Sequence, residues 1–246
     1  MQIKLINTTR YWVLAAFFFL QFVDASGLND TIINRNSSSI KKQLRDYQAE
    51  VKTDSQAQLI PIFSRRGLIL DLKYATAANF TKTILYTPTR CTFLRKEVYN
   101  AFQQALSVLN KEGLGVIIWD AYRPFSVTKK MWDLIQDERY VAHPSKGSGH
   151  NRGIAIDISL FRLADGKPLD MGTDFDHFSE RAHVNYTEIP APVLENRKRL
   201  QTAMEGVGFR VLETEWWHFY WPNGSHYDIL DLSFETLLQS YKKSSN

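Results

Sequence analysis

The sequence predicts a single α+β domain with a central, mainly antiparallel sheet flanked by helices. Two observations lead to this fold class. Runs with helical periodicity and runs with strand-like alternation both occur, but they do not follow one another regularly as in a parallel βαβ fold. The chain has 246 residues, of which 44% are hydrophobic and 13% aromatic. That is enough apolar material for one substantial core.

The N-terminus predicts a secretory signal peptide over residues 1–25. Lys4 and Arg10 form a positively charged region before an apolar run at 11–23. This run is shorter than the roughly 20 residues of a membrane-spanning helix. Small residues then offer a cleavage site before Ser26. An uncleaved N-terminal anchor is the alternative. We expect a secreted or periplasmic protein with no stable membrane anchor after cleavage.

Residues 26–58 are predicted to be a polar extension, and residues 59–246 the main domain. Apolar positions three and four residues apart in the extension predict a helix over 38–52, capped by Ser37 or Ser38. The main domain is predicted to contain, in order, a strand over 67–74, a helix over 96–111, a strand over 115–119, a helix over 125–137, a Gly- and Ser-rich loop over 141–151, a strand over 153–161, a helix over 192–207 and two strands within 209–221.

Composition narrows the possible classes of function. The net charge of +4 is spread along the chain, without the dense Lys/Arg block that marks a nucleic-acid surface, so no nucleic-acid partner is expected. The single cysteine, Cys91, cannot form an intramolecular disulfide, and no thiol-enzyme signature surrounds it. We therefore expect Cys91 to be a buried structural thiol.

Two segments carry residues suited to metal chemistry. His150 lies in the Gly/Ser-rich loop, and Asp157 lies between two isoleucines of the following strand. A carboxylate in an apolar strand requires a cation or strong hydrogen bonds, and imidazole with carboxylate is a common ligand pair for zinc. In the second segment, Glu215 precedes His218 by three residues within an aromatic run, a pairing found where a glutamate handles the proton of the attacking water.

The two segments together predict more than either does alone. His150, Asp157 and His218 would leave a fourth position open, as catalytic zinc requires. On a straight strand Glu215 and His218 would face opposite sides of the sheet, so we expect either a turn or bulge at Glu215 or a site that wraps around the strand end. Taken separately, a sheet-edge carboxylate and a hydrogen-bonded core histidine explain these residues equally well.

The same residues resemble a known family. The segment SGHNRGIAID at 148–157 fits the motif S-x-H-x-x-G-x-A-x-D, and EWWHF at 215–219 fits E-x-x-H, both of the D-alanyl-D-alanine metallopeptidases. Within that family the chain is most similar to the VanX-type D-Ala-D-Ala dipeptidases. The likeness runs from about residue 68 to 221, and four further blocks agree in order, at 74–80, 119–124, 171–176 and 195–200.

The resemblance implies an enzyme that binds one zinc ion per chain. The three zinc ligands would be His150, Asp157 and His218. Glu215 matches the general base that activates the attacking water and then passes the proton to the departing amine. Arg123 matches an arginine that stabilises the tetrahedral oxyanion, a role that suits a fixed guanidinium donor.

The resemblance also implies a small substrate, the dipeptide D-Ala-D-Ala, hydrolysed to free D-alanine. Asp176 and Tyr74 match residues that bind the free amino group, and Ser148 matches a residue near the substrate. The predicted export signal and the extension at 26–58 depart from the family pattern. Two alternatives remain open, namely a related peptidoglycan carboxypeptidase or endopeptidase and a non-enzymatic, zinc-stabilised binding module.

Overall fold

The structure, a computed structural model, describes residues 40–244. The predicted signal peptide at 1–25 and the predicted caps Ser37 and Ser38 lie outside the described residues. The helices are α1 (Leu44–Thr53), α2 (Lys96–Lys111), α3 (Phe125–Leu134), α4 (Gly149–Arg152), α5 (Ala191–Glu205) and α6 (Phe234–Ser244). The strands are β1 (Ile40–Lys41), β2 (Leu59–Phe63), β3 (Leu68–Leu70), β4 (Cys91–Arg95), β5 (Leu114–Asp120), β6 (Ala155–Arg162), β7 (Arg210–Leu212), β8 (Glu215–Tyr220) and β9 (Ile229–Leu230).

A five-stranded sheet forms the centre of the described domain, in the order β3-β5-β6-β8-β7. β3 runs parallel to β5, and the other three pairings are antiparallel. This mixed α+β domain with a mainly antiparallel sheet confirms the predicted fold class. The amphipathic pattern of α2 is also confirmed, because the predicted apolar face is buried: Val98, Phe102, Leu106 and Leu109.

Two of the element boundaries that differ from the sequence prediction have a clear cause in the fold. α1 begins at Leu44 rather than near residue 38, because Ile40–Lys41 pairs with the distant strand Ile229–Leu230 instead of extending the helix. β3 ends at Leu70, and the chain then forms a short 3₁₀ turn. Asp71 donates the last backbone hydrogen bond to β5 before the chain leaves the sheet. Both differences depend on contacts that sequence periodicity does not report.

The Gly/Ser-rich segment predicted as a loop contains a helix of one turn, α4. Ser148 caps it, and Gly153 ends it with a left-handed φ of 72°. A Cβ on Gly153 would lie 2.5 Å from Leu59 Cδ2, so both the turn and the packing require glycine. Cys91 is buried, as expected. Within residues 40–244, no helix has the length and hydrophobicity needed to cross a bilayer.

Arg95 joins α1 to the body of the domain. Its side chain is fully buried, and its Nη1 lies 3.3 Å from the Glu50 carboxylate of α1. Its Nε donates to the Arg152 carbonyl at 2.7 Å, and the Tyr227 ring stacks beneath the guanidinium at 4.7 Å. The charge is therefore satisfied from several directions, as a buried arginine requires. The predicted domain limits at residues 25 and 58 stay a prediction.

Replacing Arg95 with methionine should lower the free energy of unfolding by about 3 kcal/mol, because the partly buried Glu50 carboxylate and several carbonyls would lose their donor. The measurement is urea denaturation followed by circular dichroism. The matched control is Arg199→Met, which removes a half-exposed i,i+4 pair with Glu195 and should leave stability nearly unchanged. Equal unfolding midpoints for the two variants would contradict this role of Arg95.

Candidate active site

Three predicted metal ligands converge on one face of the central sheet. Asp157 in β6 and His218 in β8 are direct cross-strand partners, so their side chains project from the same face. His150 reaches them from α4. Asp157 Oδ1 lies 2.8 Å from His218 Nδ1, and His150 Nε2 lies 3.4 Å from Asp157 Oδ2 and 3.2 Å from His218 Nδ1. One ligand atom from each of the three residues lies within 4.8 Å of the ligand atoms of the other two.

The donor chemistry of this cluster fits a divalent metal ion. His150 Nδ1 lies 2.7 Å from the Ala121 carbonyl oxygen. A carbonyl only accepts, so Nδ1 carries the proton and the lone pair of Nε2 faces the cluster. Two imidazole nitrogens and a carboxylate oxygen thus surround one point, with a backbone carbonyl fixing the orientation of one ring. This ligand set suits zinc and other first-row divalent metals.

The two histidines shift the pKa of Asp157 towards its charged form, and Asp157 does the same for His218. Burial by itself would raise the pKa of Asp157, but the neighbouring His150 and His218 hold that pKa below its usual range. Burial opposes protonation of His218, yet the hydrogen bond and charge of Asp157 raise the His218 pKa. The carboxylate is therefore ionised and available to a cation.

A bulge in β8 explains how Glu215 and His218, three residues apart on one strand, can contribute to the same site. Val211 of β7 pairs with Phe219, but the next residue, Leu212, pairs with Glu215. Three residues of β8 therefore have no partner in β7, and the strict alternation of sides is broken between Glu215 and His218. The bulge confirms the expected irregularity at this position.

Glu215 lies among the charged groups of the site. Burial raises its pKa to about 7, and the Asp157 carboxylate adds to the rise, while His218 and Arg123 oppose it. A carboxylate with a pKa near neutrality can both accept and release a proton at physiological pH. A divalent ion at the three ligands would itself lower this value.

Arg123 is held by a carboxylate that the sequence analysis missed. Asp120 ends β5, is fully buried, and is the cross-strand partner of Asp157. Its Oδ2 accepts from Arg123 Nε at 2.8 Å and lies 3.6 Å from His150 Nδ1. The Arg123 guanidinium also lies over the Tyr74 ring, 5.0 Å from its centre. The available signal was a charged residue at the end of the apolar strand GVIIWD.

Ser148 acts here as the cap of α4. Its Oγ accepts from the His150 backbone N–H at 3.2 Å, and its own N–H donates to the Asn151 side chain at 2.9 Å. The Asn151 amide in turn donates to the Arg123 carbonyl at 2.8 Å. Asn151, which the sequence analysis also missed, thus joins the helix that carries His150 to the turn that carries Arg123. The substrate contact predicted for Ser148 stays a prediction.

Asp176 and Tyr74, 102 positions apart in sequence, meet at the edge of the site. The Tyr74 hydroxyl lies 3.0 and 3.1 Å from the two Asp176 carboxylate oxygens and donates to them. Burial raises the pKa of Asp176 well above its usual value, and the Asp157 and Glu215 charges raise it further. Asp176 also has a left-handed φ of 56°, a conformation that aspartate tolerates and that often marks functional sites. The local field favours a cationic group.

The same residues lie within a recognised family. The family model of the D-ala-D-ala dipeptidases, in the M15 peptidases, matches residues 63–235. A D-alanyl-D-alanine dipeptidase of Escherichia coli is 37% identical over 171 residues, covering 70% of this chain and 88% of the relative. One from Enterococcus faecium is 32% identical over 187 residues, covering 66% of this chain and 92% of the relative. This chain therefore belongs to the D-Ala-D-Ala dipeptidase family of metallopeptidases.

Proposed function

We propose that this protein is a zinc-dependent dipeptidase that hydrolyses D-alanyl-D-alanine to free D-alanine, with one zinc ion per chain. The observation that carries the proposal is the convergence of a complete ligand set with the groups that peptide hydrolysis requires. Those groups are a partly buried carboxylate for proton transfer, a fixed guanidinium and a second carboxylate for an amine, namely Glu215, Arg123 and Asp176.

The chain's own residues divide the chemistry between them. Zinc held by His150, Asp157 and His218 would polarise the scissile carbonyl and acidify the attacking water. Glu215 takes the proton of that water and delivers it to the departing amine. Arg123 donates to the oxygen that gains negative charge as the carbonyl becomes tetrahedral. Its fixed position makes this stabilisation effective, because little reorganisation is required.

Asp176 and Tyr74 would select the free amino terminus. An ammonium group is a strong partner for a partly buried carboxylate that already accepts from a hydroxyl. A carboxypeptidase or endopeptidase acting on longer peptides would have an uncharged amide at this point, where Asp176 would then lack its cation. This contrast favours a dipeptidase. A non-enzymatic binding module would not require Glu215 or the buried Asp120–Arg123 pair.

The partner we propose is a small zwitterionic dipeptide, because a free dipeptide carries an ammonium group of the kind that Asp176 is suited to bind. We also propose that the protein is exported, because residues 1–25 have the pattern of a cleaved signal. N-terminal sequencing of the protein recovered from outside the cytoplasm should give a chain that begins near Ser26. Recovery only of an uncleaved chain in the cytoplasm would overturn the export proposal.

Purified protein should release D-alanine from D-Ala-D-Ala, lose this activity with a chelator, and regain it with added zinc. Glu215→Gln should lower kcat by about 10²–10⁴-fold, because it removes the proton acceptor, while the zinc content stays at one ion per chain. The measurements are D-alanine release and metal analysis.

The matched control is Glu213→Gln, because Glu213 is exposed and lies just outside β8. It should keep full activity. L-Ala-L-Ala serves as the control substrate and should be cleaved far more slowly. A chelator-treated protein with undiminished activity, or a Glu215→Gln variant as active as the unmodified protein, would refute the proposed mechanism.

Asp120→Asn should lower kcat by about 10- to 100-fold, the usual cost of losing a group that orients active-site residues. KM should change little, because Asp120 orients Arg123 and does not face the substrate amine. The control is Asp133→Asn in α3. Asp133 is exposed, and this change breaks only its surface pair with Lys129. Equal kinetic constants for the Asp120→Asn and Asp133→Asn variants would show that Asp120 does not orient Arg123.

A further inference from the structure

Three long loops around the site are joined by aromatic rings. Phe80, on the loop between β3 and β4, lies 5.3 Å from Phe178, on the loop between β6 and α5. Phe178 stacks in turn on Tyr140, on the loop between α3 and α4, at 4.3 Å and 33°. We refer to Phe80, Phe178 and Tyr140 as the ring bridge. All three side chains are half-buried, so they lie at the protein surface.

The ring bridge begins at the residues proposed to bind the amine. Phe80 packs edge-on against Tyr74, with ring centres 6.2 Å apart, and Tyr74 donates to Asp176. Tyr74 also contacts the Arg123 guanidinium, which lies over its ring, 5.0 Å from the ring centre. A continuous series of side chains therefore runs outward from the reaction centre to Tyr140.

Each loop that supplies a ring also carries a residue of the site. The first loop carries Tyr74, the second carries Asp176, and the third leads into α4 and its ligand His150. Contacts between the rings thus join the three loops beside the residues of the site. Aromatic pairs of this kind contribute about 0.5–1.5 kcal/mol each beyond their buried area, so the two contacts favour the arrangement in which the three loops are joined.

We propose that the ring bridge is the wall that ends the substrate cleft beyond Asp176, and that it restricts the enzyme to dipeptides with a free amino terminus. This inference rests on the proposed dipeptidase function and deepens it. Asp176 attracts the ammonium group, and the rings exclude anything attached to it. Peptides extended at the amino end, such as stem peptides of the cell wall, would collide with Phe178 or Phe80.

The test compares D-Ala-D-Ala with D-Ala-D-Ala-D-Ala and N-acetyl-D-Ala-D-Ala in Phe178→Ala, Phe178→Tyr and unmodified protein. Removing the central ring should raise kcat/KM for the longer substrates, relative to the dipeptide, by at least about tenfold, the scale on which pocket contacts discriminate substrates. Phe178→Tyr keeps the ring and should behave as the unmodified protein. Trp132→Ala is the control and should leave the ratio unchanged, since Trp132 packs edge-on against His143 of the third loop, outside the ring bridge.

An unchanged ratio in Phe178→Ala, with good dipeptide cleavage, would overturn the ring bridge and leave the dipeptidase function intact. Failure of unmodified protein to cleave any dipeptide would instead refute the proposed function. Limited trypsin digestion tests separately whether the rings hold the third loop in place, because Arg139 and Lys146 are exposed cleavage sites on that loop. Cleavage there should be several-fold faster in Phe178→Ala than in Phe178→Tyr, and equal rates would show that the rings do not hold the loop.

Discussion

The site depends on two buried carboxylates placed side by side in the central sheet. Asp120 and Asp157 are cross-strand partners on β5 and β6, and each is almost completely inaccessible to solvent. Like charges this close, removed from water, are tolerated only if each has its own cationic partner. Arg123 balances Asp120, and the two histidines orient their nitrogens toward Asp157. The need to balance these two charges accounts for the positions of both the guanidinium and the metal ligands.

Departures from regular structure bring the remaining groups to this pair. The bulge in β8 moves Glu215 out of strict alternation with His218, and the pairing of β5 is irregular just before Asp120. Asp176 has a left-handed backbone conformation. A regular sheet presents every second side chain on one face, about 7 Å apart along a strand, which is too sparse for a site that must contact one small molecule from several sides. The irregular positions therefore allow more side chains of the site to meet at one place than a regular sheet would.

The sequence singled out the candidate site residues whose chemistry is visible in their immediate neighbours. Asp157 among isoleucines and Glu215 with His218 in an aromatic run are local signals, and the family motifs extend them to Arg123. Asp120 was missed although Arg123 is only three residues away, because its position beside Asp157 depends on strand pairing. Asn151 was missed because its partners include the backbone carbonyl of the distant Arg123. For the same reason α1 was placed too early, since the pairing of Ile40 with Ile229 cannot be read from periodicity. Local patterns predict elements and motifs, whereas partners across the fold require the structure.

The balance of charge favours a divalent cation and a free amine at such a site. The four carboxyl groups of Asp120, Asp157, Asp176 and Glu215 lie near one guanidinium. With protein charges alone, burial and mutual repulsion raise the pKa of Asp176 and of Glu215, so protons compensate part of the excess. A divalent cation and one ammonium group would supply the three missing positive charges. The metal and the free amine are therefore complementary to the same negative field, and a substrate without that amine leaves one carboxylate unbalanced.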